Sequence, residues 1–202
     1  MLATPTAQVE NALEGRAYNS VRKYSHRASS QLIIADGLCP DISQLLSGAL
    51  LEVITIGQCD QPITRITSIL EERRGQGIPV ETLHIVAHGR PGELCIGKKW
   101  INKDELIQHN KLISTWKTSQ INLWSCFTGK NQDFTSALKK FSGSKVLSTD
   151  KEIYSRGSSN QLQISSGNFS SNLAKIFKQT AINAKSFSLA EVSLLFDEGF
   201  VG

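Results

Sequence analysis

Four short apolar runs constrain this chain more than any other feature. They are Leu32–Ala35, Leu51–Ile56, Thr82–Ala87 and Ile121–Ser125. Each has the length of a strand, and Thr82–Ala87 is almost continuously apolar, as strands covered on both faces are. Segments of helical period lie between them. Pro40-Asp41 opens a short one through Leu45, Leu46 and Ala49. Pro62 opens the next, with Ile63, Ile66, Ile69 and Leu70 on one stripe and Gly75 and Gly77 at its end. A third starts at Asn102 with Glu105 in a capping-box position and carries Leu106, Ile113 and Trp116. A fourth presents Phe134, Ala137, Leu138 and Phe141 on one face, before a fifth strand at Lys145–Leu147. Strands joined by crossover helices form a parallel sheet with helices on both faces, so the fold class is α/β.

The other segments are weaker in pattern. Glu93–Ile96 and Trp100-Ile101 around Gly97-Lys98-Lys99 predict a small hairpin. Tyr154–Ile164 predicts short edge strands about a Gly157–Asn160 turn, and 172–183 a helix through Leu173, Ile176, Phe177 and Ile182. Residues 1–30 form a polar arm made basic by Arg22, Lys23, His26 and Arg27. The organisation expected is therefore an arm over 1–30, the α/β domain over 31–165, and a C-terminal helical segment with an apolar-acidic tail over 166–202.

Composition narrows the function classes. The net charge of +4 is spread along the chain, and the few aromatic residues do not interleave with the basic ones, so no nucleic-acid partner is expected. No apolar stretch is long enough to span a membrane, and a basic start followed by an apolar run is lacking. Four cysteines, none in a C-x-x-C pair, predict reduced thiols rather than a disulfide framework or a zinc site. The cytoplasm is the favoured compartment, with export that needs no conventional signal peptide left open. Neither a metal nor a cofactor is expected.

In open parallel sheets, sites form at the carboxyl ends of strands. Two strand ends carry reactive groups: His88-Gly89 after the third run, and Cys126 after the fourth. Neighbouring strands lie about 4.8 Å apart, so imidazole and thiol would share one rim. An imidazole can take the proton of a thiol and later protonate a leaving amine. Gly89, having no Cβ, leaves its N–H open to act with that of Cys126 as an oxyanion hole. Asp36 and Asp150 follow the first and fifth strands and are candidates to bind a basic substrate side chain, with turn capping as the competing role. His84 is roughly 13 Å from His88 along one strand, too far to share a metal, and is expected in the core. His109 and Cys95 are expected to be structural. Cys39 and Cys59, which follow the first and second strands, leave open a weak redox role near the same rim.

Leu83-His84-Ile85-Val86-Ala87-His88-Gly89, followed by Ile121-Asn122-Leu123-Trp124-Ser125-Cys126, resembles the His-Gly and Cys motifs of the caspase-like clan of cysteine peptidases. That clan includes caspases, gingipains, separase and the CHAT domains. Within it, the chain is most similar to a bacterial domain family of unknown function, common near the N-termini of giant secreted repeat adhesins. The similarity runs from about Leu32 to Asp150 and takes in Pro91-Gly92 and the Gly97 hairpin. The long repeats that follow in such adhesins are lacking here. The resemblance implies a three-layer caspase-like fold with a mainly parallel central sheet. It also implies His88 as general base and acid, Cys126 as nucleophile and Gly89 as oxyanion donor.

Two functions are expected from these residues. One is a caspase-like cysteine peptidase or autoprocessing domain, acting on a protein or peptide that includes its own chain. The other is a catalytically inactive caspase-like scaffold that binds a protein partner through its arm or tail.

Overall fold

The computed structural model describes residues 30–38, 42, 46, 49–155, 162–164 and 187–188. The basic arm before Ser30, Cys39, the Gly157–Asn160 turn, the 172–183 segment and all of the tail except Phe187 and Ser188 lie outside the described residues.

Five strands make the central sheet: β1 (Gln31–Asp36), β2 (Glu52–Ile56), β3 (Thr82–Val86), β7 (Gln120–Trp124) and β8 (Lys145–Leu147), in the order β2-β1-β3-β7-β8. All four pairings are parallel. The apolar runs thus become the strands expected of them; β1, β3 and β7 are buried on both faces, and β2 is the partly exposed edge. Side-chain alternation divides the core in two. Leu32, Ile34, Leu83, Ile85, Ile121 and Leu123 point to one face, and Ile33, Ala35, Val86 and Trp124 to the other.

The first face is covered by α1 (Pro62–Gly75), α2 (Lys103–Gln108), α3 (Asn110–Ile113) and α4 (Gln132–Ser142). Their stripes Ile63/Ile66/Ile69/Leu70 and Phe134/Ala137/Leu138 are buried in that cluster. The second face holds Ile42 and Leu46, both helical, together with Ile153. The result is a three-layer α/β fold with a mainly parallel central sheet.

The ends of these helices follow local chemistry. Asn102 caps α2 by accepting from the Glu105 amide at 3.0 Å, as the capping box requires. The helix does not continue to Trp116, however. It breaks at His109, whose backbone leaves the helical region while its Nδ1 meets the Glu105 carbonyl at 2.9 Å. Asn110 Nδ2 donates to the Ile107 carbonyl at 2.6 Å, a side-chain bond that competes with the helical ladder, and a second short helix restarts there.

Two small sheets flank the central one. β4 (His88–Arg90), β5 (Glu93–Ile96) and β6 (Lys99–Ile101) form an antiparallel sheet that includes the expected hairpin. β4 was not expected: the chain leaves β3 and pairs again at once, so His88-Gly89 is strand, not rim loop. β9 (Ile153–Ser155) pairs antiparallel with β10 (Leu162–Ile164) and β11 (Phe187–Ser188). Among the described residues, no helix is long and apolar enough to cross a membrane.

Candidate active site

The site grows from the register of β3 on β7. Thr82 faces Gln120, and the pairing runs in step to Val86 facing Trp124. The ladder continues one residue further, with the Ala87 amide donating to the Trp124 carbonyl at 3.2 Å. His88 and Cys126 each stand two positions after that last facing pair. Cys126 is buried in the second cluster, with Val86 and Trp124.

Both chains turn sharply beyond this point. His88 enters β4 and faces Cys95 across the antiparallel pair. After Cys126 the backbone passes through Phe127 in the left-handed region, φ 57°, and then a short 3-10 turn at Thr128–Lys130. A bulky residue rarely takes that conformation, and such outliers concentrate at functional sites. The turn is held from within. Ser125 Oγ and Thr128 Oγ1 are 2.6 Å apart, and Thr128 Oγ1 donates to the Glu93 carbonyl at 3.1 Å, tying the Cys126 turn to the hairpin.

Gly89 fits between these two turns. A Cβ there would lie 2.4 Å from the Cys126 carbonyl oxygen, 2.6 Å from Thr128 Oγ1 and 2.7 Å from Ser125 Cβ. The absence of a side chain is therefore accounted for by packing of the Cys126 turn against the β4 backbone.

Asp36 ends β1 and is only 4 % exposed. Its Oδ1 accepts from the amides of Leu38 and Gly97, both at 3.2 Å. Burial pushes its carboxyl above the ordinary range, while those two amides and the charge of His88 pull it back. Asp36 thus lies within electrostatic range of His88. Asp150 sits differently: its side chain is 59 % exposed and 3.9 Å from Lys151 Nζ.

The Cys126 thiol has close backbone company. The Ile153 amide donates to Sγ at 3.1 Å, and Sγ lies 3.6 Å from the Ile153 carbonyl oxygen. Cys126 is 0 % exposed, His88 4 % and Ile153 1 %. Sequence reasoning placed the two reactive residues on one rim and missed the segment that covers the rim. Ile153 lies in the weakly patterned stretch after Thr149, where no period announces its position.

The sequence model of one protein family, described as a domain of unknown function (DUF4347), matches residues 32–187. The chain belongs to the DUF4347 family. No curated protein and no solved structure matches it. The matched span of this DUF4347 domain starts in β1 and ends in β11, so it contains Asp36, His88, Gly89, Cys126, Asp150 and Ile153.

His84 has structural partners. His84 is buried beside Trp124, its Nδ1 accepting from the indole Nε1 at 2.9 Å and its Nε2 3.2 Å from Gln31 Oε1. Burial lowers its pKa to about 4, which keeps it neutral. Of the cysteines, Cys95 and Cys126 are buried and Cys59 is half-buried. Among the described residues, no group of three or more His, Cys, Asp or Glu side chains is placed to hold a metal ion.

Proposed function

We propose that this DUF4347 domain is a caspase-like cysteine peptidase that uses His88 and Cys126 on a protein or peptide chain, its own included. The observation that supports the reading is the β3–β7 register, which ends the two neighbouring strands in step, each two residues before His88 or Cys126. In that reaction, His88 takes the Sγ proton and the thiolate attacks a peptide carbonyl carbon. Collapse of the tetrahedral intermediate breaks the C–N bond, and His88 gives its proton to the departing amine. Water, deprotonated by His88, then hydrolyses the thioester. The buried Asp36 carboxylate stabilises the imidazolium that forms in each half. The amides of Gly89 and Cys126 are the proposed oxyanion donors, and Asp150, the exposed carboxylate at this end of the sheet, is the group proposed to take a basic substrate side chain.

A second reading has one observation in its favour. The complete burial of Cys126 suits a catalytically inactive scaffold that binds a protein partner through its arm or tail. A thiol-directed acyl-transfer probe separates the two. The peptidase predicts labelling at Cys126 that is lost in Cys126→Ala and falls at least tenfold in His88→Ala. Labelling that survives the first substitution or ignores the second refutes it.

A further inference from the structure

Thr128 stands where the two halves of the candidate site meet. It is 0 % exposed, and Ser125, three residues before it, is 1 % exposed. A threonine hydroxyl has one proton to give and lone pairs to accept with. The proton goes to the Glu93 carbonyl at 3.1 Å, and Ser125 Oγ, 2.6 Å away, donates to the same oxygen. The Cys126 carbonyl lies further off, at 3.4 Å. The main chain of Thr128 repeats the tie, its carbonyl accepting from the Gly92 amide at 3.3 Å. Gly92 and Glu93 lie where β4 turns into β5, and β4 begins at His88.

At its other end this chain of hydroxyls grips the Cys126 turn. Ser125 and Thr128 flank Cys126 and Phe127, and Phe127 is held in the left-handed region at φ 57°. A bulky residue keeps that conformation only where its surroundings fix it. The Lys130 amide, donating to the Phe127 carbonyl at 2.8 Å, closes the turn through the backbone, and the Ser125–Thr128 bond spans it through side chains. Filling space does not require the hydroxyl, since valine has nearly the same shape. The hydroxyl supplies the link from one side to the other.

We propose that Thr128 is a positioning residue: its hydroxyl, chained from Ser125 to Glu93, fixes the Cys126 turn against the β4–β5 hairpin and so sets the approach of His88 to the thiol. This role rests on the peptidase reading. Thr128 takes no part in the bond-making steps and acts through the two residues that it holds in place.

The test is acyl-probe labelling of Cys126 in the full-length chain, with each Thr128 variant made both with and without His88→Ala. In Thr128→Val the labelling rate falls at least tenfold, and adding His88→Ala lowers it less than twofold further. Thr128→Ser keeps the hydroxyl, stays within threefold of wild type and retains the dependence on His88. The pH profile of Thr128→Val matches that of His88→Ala, rising only where a free cysteine ionises, about pH 8.5. A merely structural role moves the urea midpoint but not the pH profile of the folded protein. Thr128→Ser as impaired as Thr128→Val, or a Thr128→Val protein that still loses tenfold on His88→Ala, overturns the positioning role and leaves the peptidase reading standing. Wild-type labelling that ignores His88 overturns both. If Thr128→Val does not fold, Ser125→Ala cuts the same chain at its Cys126 end. Loss of its His88 dependence then supports the role, and undiminished dependence overturns it.

Discussion

Gly89→Ala is the sharpest probe of how the two strand ends are packed. Gly89 is not among the residues with positive φ, so alanine meets no backbone strain there and the whole effect is steric. The new methyl would stand 2.4 Å from a main-chain oxygen, 2.6 Å from a hydroxyl that itself holds the hairpin, and 2.7 Å from a third atom. None of these is the free end of a flexible side chain, so the turn or β4 must shift. Overpacking of this kind costs about 1–3 kcal/mol, and three simultaneous contacts place the cost near the top of that range. The entropy lost by the unfolded chain on replacing glycine returns about 0.4–1 kcal/mol. The net loss is about 2 kcal/mol, or roughly 4–8 °C in Tm for a chain of this size. Urea unfolding followed by fluorescence of Trp100, Trp116 and Trp124 measures it. Gly75→Ala is the control: nothing lies within 4 Å of a Cβ at the end of α1, so the same substitution there stabilises by about 0.5–1 kcal/mol. A Gly89→Ala protein within about 0.5 kcal/mol of wild type refutes the packing account of Gly89, since even surface substitutions vary by that much.

Two further predictions concern buried charge. His84 binds its proton near pH 4 in the folded chain against an ordinary 6.5, so the unfolded chain takes up a proton first as the pH falls. Stability is therefore full above about pH 6.5 and declines toward pH 4, by about 3 kcal/mol at roughly 1.36 kcal/mol per unit. Urea midpoints at pH 7 and pH 4.5 test this, and a His84→Gln protein with an equally steep decline contradicts it. Arg73 is buried in α1 with one nitrogen on Glu52, while its Nε and Nη2 are buried without a hydrogen-bond partner. Arg73→Met keeps the aliphatic stem and removes the two orphaned donors, leaving Glu52 half exposed and free to hydrate. It is expected to raise stability by about 1 kcal/mol in the same assay, and a loss above about 1 kcal/mol argues against an unsatisfied guanidinium.

The parts of the fold that were legible in the sequence are those fixed by burial on two faces. β1, β2, β3 and β7 stand within a residue or two of their apolar runs, and Lys145–Leu147 is the fifth strand as expected. Glycine and asparagine marked helix ends because caps depend on nearby residues alone: Asn102 starts α2, and Gly75, followed by Gly77 at φ 75°, ends α1. Features set by long-range contact were not legible. The break at His109 interrupts an unbroken apolar spacing, because Asn110 prefers a side-chain bond that no period reveals. β4 is invisible because His88-Gly89-Arg90 has no strand composition and becomes a strand only by pairing with Glu93–Ile96. At the candidate site, the placement of His88 and Cys126 could be read from two strand ends. The burial of Asp36 involves the amide of Gly97, distant in sequence, and the approach of Ile153 to the thiol follows backbone bonds from Phe127 and Gly129 to Lys151 and Thr149.

The hairpin gives the site a mechanical character. His88 faces Cys95, two residues before Gly97, and Gly97 is fastened to the loops after two other strands: its amide to Asp36, and its carbonyl to the Cys59 amide at 3.1 Å. No methyl group fits at that fastening, since a Cβ on Gly97 would lie 2.6 Å from the Gly57 carbonyl oxygen. The end of the sheet that carries His88 is therefore pinned to the loops after β1 and β2.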